Sequence, residues 1–264
     1  MLLVGCCGTT ASYLSLQQMG YDYAELSGRQ IMSLSEEEFQ TFLQLYQNTG
    51  FPCRGFNDYC DGRYPLVGPG CGSEQVEAYA REICRRGHAL GIKTIGIGAP
   101  AARTLPEGYP VEQADREMEA FLRMICSIAA EYGITILLEA VHQYMCNYLT
   151  HTREAVAMVQ RLALPNLAVI LDYYHAMVMG EDLHALDYAI PYTRHLHIST
   201  DLENHARGYI RDCDVPLLKT LLAEAAAVGY DGAISVEASA DRLLADGEEC
   251  RKQMQLSLPE KTDN

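Results

Sequence analysis

Four residues able to bind a metal end four short apolar runs in the second half of the chain. They are Glu139 in Thr135-Ile136-Leu137-Leu138-Glu139, Asp172 at the end of Ala168 to Asp172, His197 in His195-Leu196-His197-Ile198, and Glu237 at the end of Ala233 to Glu237. If each run is a strand, alternate residues face opposite sides. Thr135 and Leu137 then share the face of Glu139, Val169 and Leu171 oppose Asp172, and Ile234 and Val236 oppose Glu237. Both His195 and His197 turn to the same side, with His197 nearer the strand end. Three carboxylates converging on one space repel one another and are costly to desolvate unless a cation neutralises them or they take up protons. A divalent metal resolves the conflict. Three oxygens and one imidazole suit Mn²⁺, Mg²⁺ or Co²⁺, with Zn²⁺ also compatible, and an octahedral ion keeps positions for a substrate that chelates through adjacent oxygens. Alone, any of the acids reads equally well as a helix N-cap and the histidine as a core residue. Parity satisfied on four consecutive runs is what favours the metal.

The four residues are 33, 25 and 40 positions apart, scattered about the length of one strand-helix unit. Such units run the whole chain. Strands are expected near Leu2 to Cys7, Tyr23 to Leu26, Pro52 to Asn57, Thr94 to Ile97, Thr135 to Glu139, Ala168 to Asp172, His195 to Ile198 and Ala233 to Glu237. Helical patterns lie between them at Glu36 to Tyr46, Glu74 to Leu90, Glu112 to Tyr132, Thr152 to Leu162, Val215 to Val228 and Asp241 to Met254. Gly91, Gly133 and Gly229 each follow a helical pattern as a left-handed cap, and Pro165-Asn166 is read as doing the same after Leu162. No linker divides the chain. Eight strand-helix units predict an α/β fold, a single (β/α)8 TIM barrel over 1–258, followed by a polar tail at 259–264. An open doubly wound sheet is the competitor, but no G-x-G-x-x-G follows the first strand. In a barrel the four strand ends become neighbours around one rim, where active sites gather.

Composition narrows the partners. The 264 residues carry 20 basic and 35 acidic side chains, a net charge of −15, with no Lys/Arg run to track phosphates. Nucleic acid and anionic membranes are thereby disfavoured as partners. Ten scattered cysteines without C-x-x-C spacing read as reduced thiols of a cytoplasmic protein. Met1-Leu2-Leu3-Val4-Gly5-Cys6 has the look of a lipoprotein box, but without a basic n-region or a full apolar core it is read as the first strand. No apolar stretch reaches the roughly 18 residues of a membrane span.

Four segments in this order resemble the xylose isomerase-like barrels of sugar isomerases and epimerases, a family that includes ketose 3-epimerases and hydroxypyruvate isomerases. They are Leu138-Glu139-Ala140-Val141 with Asn147 and Thr150; Pro165-Asn166 leading to Leu171-Asp172-Tyr173-Tyr174-His175; His195-Leu196-His197-Ile198; and Gly229-Tyr230-Asp231-Gly232 running into Ser235-Val236-Glu237. The resemblance implies that Glu139, Asp172, His197 and Glu237 bind one metal. It also implies that Glu139 and Glu237 exchange protons with opposite faces of a ketose, and that His175 and an arginine after the seventh strand hold its oxygens. Arg207 is that arginine here, with Arg211 the competitor. The chemistry is coherent: a proton removed next to a carbonyl leaves an enediolate whose charge a metal stabilises, and carboxylates take and return the proton. Return to the opposite face is epimerisation; return to the neighbouring carbon is isomerisation.

Glu25 near the end of the second strand and Asn57 closing the third are expected at the rim, where they would read hydroxyl groups. The stretch from Gly98 to Tyr109 is read as a rim loop able to serve as a lid, and Tyr173 and Tyr174 as apolar walls. A glutamate that contacts sugar in several ketose 3-epimerases is replaced here by Met145 or Cys146. The related abasic-site endonucleases need further histidines on earlier strands, and this chain has none at Asn57 or in Gly96-Ile97-Gly98. Two rivals stay open: a dehydratase of a keto-cyclitol, which shares the first proton abstraction, and a noncatalytic carbohydrate-binding barrel. Barrels of this family commonly pair, which implies a homo-oligomer.

Overall fold

A computed structural model of the chain describes residues 2–201 and 205–259. Within them lie eight parallel barrel strands: β1 (Leu3–Gly8), β2 (Tyr23–Ser27), β3 (Cys53–Asn57), β4 (Thr94–Ile97), β5 (Thr135–Glu139), β6 (Leu167–Asp172), β7 (Thr193–Ile198) and β8 (Ala233–Val236). Each pairs with its neighbours in chain order, and β8 pairs with β1 through Leu3 to Ala233 and Cys6 to Val236, closing the cylinder. Each strand starts and ends within two residues of the run read from the sequence. An antiparallel ribbon of Thr200–Asp201 with Arg207–Gly208 follows β7.

The helices follow from their sequences. Helix α3 (Glu36–Thr49) opens on a capping box, in which Ser35 Oγ accepts from the Glu38 N–H and the Glu38 carboxylate accepts from the Ser35 N–H. The other long helices are α4 (Glu74–Ala89), α6 (Val111–Glu131), α7 (Thr152–Leu162), α9 (Val215–Ala227) and α10 (Leu243–Ser257). Gly91, Gly133 and Gly229 take positive φ as expected. The turn after α7 is different: Ala163, with φ 47°, makes the left-handed cap, not Pro165-Asn166. Asn166 instead ties α6 to β5, its Nδ2 donating to the carbonyls of Cys126 and Ile134. Short helices at α1 (Tyr13–Gln18), α2 (Gly28–Ser33), α5 (Pro100–Arg103) and α8 (Tyr173–Val178) are additional. Four to six residues are too few to display a helical period.

The core divides into two compartments, as strand parity requires. Ile136, Leu138, Val169, Leu171, Ile234 and Val236 join the large cluster between sheet and helices. Leu137, Ala168 and Ile170 form a separate cluster inside the barrel. None of the described helices is long and apolar enough to cross a membrane, and all ten cysteines are free. Of the expected tail, residues 260–264 lie outside the described residues, as do Met1 and the start of the segment carrying Arg207, up to Asn204.

Candidate metal centre and active site

Glu139 and Asp172 are the last residues of β5 and β6, and His197 is one before the end of β7. Glu237 follows β8, and its N–H still pairs with the Ile198 carbonyl at 3.0 Å, so the alternation carries it inward. The register places Asp172 beside His197 and His197 beside Ser235. One ligand atom from each of Glu139, Asp172, His197 and Glu237 lies within 4.8 Å of the others. Two ligands of one ion with bonds of about 2.1 Å are at most roughly 4.2 Å apart, so the set fits a single cation with small adjustments.

Three further observations support that fit. The Nδ1 edge of His197 faces Glu139 Oε1 at 3.1 Å and Glu237 Oε2 at 3.0 Å. Glu237 Oε2 is buried and, although Arg207 Nη1 is also 3.0 Å away, makes no hydrogen bond of sound geometry, which leaves a lone pair for a cation. Gly98, just past β4, gives the Glu139 carboxylate its space, because a Cβ there would stand 2.4 Å from Oε2. Asp172 satisfies two demands at once. Its Oδ1 caps α8 by accepting the His175 N–H at 2.9 Å, while its Oδ2 faces the cluster. The cap and the metal readings are thus compatible in one side chain.

Without a metal the electrostatics are divided unevenly. Burial pushes the Glu139 carboxyl up to about 7, aided by the charges of Glu237 and Asp172 and opposed by its hydrogen bond with His197. Burial acts the same way on Glu237, but Arg207 and His197 outweigh it and hold this group down at about 2. Asp172 is likewise buried, yet Arg207, His175 and His197 keep its carboxyl well below the usual range. Burial and the neighbouring Arg207 push His175 down to about 3 against the pull of Asp172, so its ring is neutral.

Arg207 belongs to this site. Its Nη2 is 2.6 Å from Asp172 Oδ2 and 2.7 Å from His175 Nε2, its Nη1 donates to Ser199 Oγ and the Glu237 carbonyl at 3.3 Å, and its guanidinium stacks over Tyr174 at 4.5 Å. Arg211 is exposed and pairs with Asp214 instead. Asn57 donates through Nδ2 to Glu237 Oε1 at 3.2 Å, while its buried Oδ1 has no protein partner. A cleft of about 760 Å³ opens over Cys7, Asn57, Glu139, His175, Arg207 and Glu237.

Glu25 is placed differently from its sequence expectation. Instead of reaching the rim, it is 2% exposed and sits beneath His197, with Oε2 3.0 Å from His197 Nε2 and 3.0 Å from His195 Nε2. Burial works against its charge, but the two histidines prevail and hold its carboxyl well below the usual range. This is the usual arrangement behind a metal-binding histidine, whose second ring N–H is donated to a carboxylate. Cys7, Glu25 and His197 also cluster within 4.8 Å. Burial and the Glu25 charge keep the Cys7 thiol protonated, and it donates to Glu25 at 3.6 Å. Below them His195 Nε2 meets Ser235 Oγ at 2.9 Å, and Ser235 meets the Tyr23 hydroxyl at 3.1 Å, so the lumen holds a connected polar column under the site.

The segment expected as a lid is bonded to the barrel and to the loop after β5. Residues 98–101 line the cleft, but Arg103 of α5 is fully buried and donates to the Glu139 carbonyl at 2.8 Å. Asn147 clamps Leu105 through both its N–H and its carbonyl, at 2.7 and 2.9 Å. Tyr174 lines the site, while Tyr173 packs into the core. Met145 reaches the cleft, and Cys146 is buried away from it. His142 was not singled out from sequence, although it stands three residues past a strand-ending carboxylate, as His175 does past Asp172. Its ring lies 4.9 Å from that of His175.

A family model of xylose isomerase-like TIM barrels matches residues 15–258. A ketose 3-epimerase of Arthrobacter globiformis is 32% identical over 129 residues, covering 48% of this chain and 43% of that protein, so the match spans less than half of the relative's length. The crystal structure of 3-keto-D-glucoside 4-epimerase from E. coli, in apo form, superposes with a TM-score of 0.74 at 16% identity, covering 97% of this chain and 99% of that one. The IOLI protein with a binding zinc atom gives 0.73 at 17% identity over 97% and 96% of the two chains. The closed barrel and the family match over nearly the full length agree: the chain belongs to the xylose isomerase-like TIM barrel family.

Proposed function

We propose that this chain is a divalent-metal-dependent isomerase or epimerase that moves a proton on the carbon next to the carbonyl of a keto sugar, with Mn²⁺ as the preferred ion and Mg²⁺, Co²⁺ or Zn²⁺ as alternatives. The observation that carries this reading is the set Glu139, Asp172, His197 and Glu237, four ligand atoms within 4.8 Å, gathered beside Arg207 and His175 at one end of the barrel. The sugar and keto-sugar activities of the similar proteins point the same way.

When bound, the metal acts as a Lewis acid on the charge that develops on the substrate's oxygens as the proton leaves. Glu139 and Glu237 approach from different strands, so one takes up the proton as a carboxylate while the other, protonated, donates a different, solvent-derived proton to the opposite face, and both regain their starting states by exchange with water. Asn57 orients Glu237 through its 3.2 Å hydrogen bond. Arg207 offers N–H donors to the substrate's oxygens, and His175, whose Nδ1 accepts from the His142 N–H at 3.3 Å and whose Nε2 meets Arg207 Nη2 at 2.7 Å, takes part by exchanging the Arg207 contact for a substrate hydroxyl. Glu25 acts from below as a positioning residue, fixing the ring of His197.

The test is solvent deuterium exchange with Mn²⁺-loaded protein on a panel of ketoses, keto-glycosides and keto-cyclitols. Deuterium at the carbon beside the carbonyl, together with epimer or isomer, is the expected result. Loss of water from a keto-cyclitol would replace the isomerase with a dehydratase, and binding without exchange would leave a carbohydrate-binding barrel. A second expectation concerns Glu25→Gln. It weakens Mn²⁺ binding by roughly 10–100-fold, read by calorimetry, with circular dichroism unchanged. Unaltered affinity would remove Glu25 from its supporting role.

A further inference from the structure

Next to the reacting floor, on the side of the segment that follows β5, lies a second cavity of about 720 Å³ whose inner end is Arg207 and Glu237. Its walls are mainly rings and a thioether, His142, Tyr144, Met145, Tyr174 and His205, completed by the small side chains of Ala238 and Ser239. Tyr144 and Met145 are 65% and 51% exposed at its edge. The rings form a continuous path. Tyr144 stacks on His205 with centroids 4.7 Å apart and planes 13° from parallel. The His142 ring lies 5.9 Å from Tyr144 and 5.7 Å from Tyr174, and Tyr174 carries Arg207 on its face.

Charge identifies what this path accepts. Arg207 and Glu237 are its only Arg, Lys, Asp or Glu side chains among the described residues, and both face the reacting centre. On the other side of the cleft Arg29 is paired with Asp58 at 3.1 Å and Arg63 with Asp61 at 2.8 Å, so each arginine is already neutralised. Neither end is built for a phosphate. Flat aromatic faces with polar tips suit the C–H face and hydroxyl edge of a pyranose. The volume falls within the roughly 300–1,000 Å³ of pockets that take drug-sized ligands.

Resting on the keto-sugar reading above, we infer that this cavity is a subsite for a second, uncharged sugar ring, and that the substrate is a keto-glycoside whose non-reacting ring lies along Tyr144 and Met145. Two matched pairs test it: D-fructose against isomaltulose, and methyl 3-keto-β-D-glucopyranoside against cellobiose oxidised at C3 of its non-reducing ring. Deuterium exchange and calorimetric binding are measured for each with the Mn²⁺-loaded protein. In the pair that reacts, the two-ring member is favoured in kcat/KM by about tenfold, the effect of one well-packed ring contact. Tyr144→Ala closes that gap by raising KM for the two-ring member, and Met145→Ala does so in part. Equal kcat/KM within the reacting pair, or a gap that survives both substitutions, overturns the subsite while leaving the reaction class standing. If nothing exchanges, the reaction class fails and calorimetry decides the subsite. Tighter binding of a two-ring member that Tyr144→Ala abolishes upholds it, and indifference to the second ring overturns it.

Discussion

Glu237→Gln lowers proton exchange by roughly 10²–10⁴-fold, the typical contribution of a positioned acid-base group, while the barrel stays folded. The substitution nearly preserves shape, and the site keeps a carbonyl oxygen in the place of the carboxylate. What disappears is the base, together with the charge that Arg207 and His197 hold ionised. Because Glu237 also belongs to the metal set, exchange, metal content and the thermal midpoint must be read on the same sample. A folded, metal-loaded variant without exchange isolates the loss of the base. Normal turnover would overturn the role assigned to this residue.

Removing the metal with a chelator abolishes exchange without unfolding the chain, and Mn²⁺ restores it. The chain has its own means of tolerating the loss. Arg207 lies 2.6 Å from Asp172 and 3.0 Å from Glu237, His197 sits among the carboxylates, and Glu139 takes up a proton more readily than an ordinary glutamate. These contacts balance the cluster but supply no Lewis acid. The metal-loaded protein should also melt higher than the stripped one, since an ion that binds only the folded state stabilises it by mass action. Exchange that survives exhaustive chelation, with metal analysis confirming removal, would contradict the proposed chemistry.

The legible parts of this protein were those governed by short-range rules. Alternation alone put Glu139, Asp172, His197 and Glu237 on the lumen face, and the lumen cluster of Leu137, Ala168 and Ile170 shows the same parity. Depth along the barrel was not legible. Glu25 has the parity of a site residue, but whether it stands at the mouth or below His197 depends on the stagger between strands, including a register shift between Ala24 and Glu25 against β3. No local pattern in β2 reports that shift. The segment from Gly98 to Tyr109 looked like a lid because its sequence is loop-like. What local sequence does not report is that Arg103 and Asn147 each bond it to a segment some 40 residues away along the chain. The left-handed turn at Ala163 was hidden for a different reason, since a β-carbon usually excludes that conformation.

The shared metal site is tested most directly by counting Mn²⁺ bound per chain by electron paramagnetic resonance titration, on the unaltered protein and on Asp172→Asn. One ion binds per chain, with affinity strongly reduced in the variant. No bound ion, or a site that Asp172→Asn leaves unchanged, would contradict it.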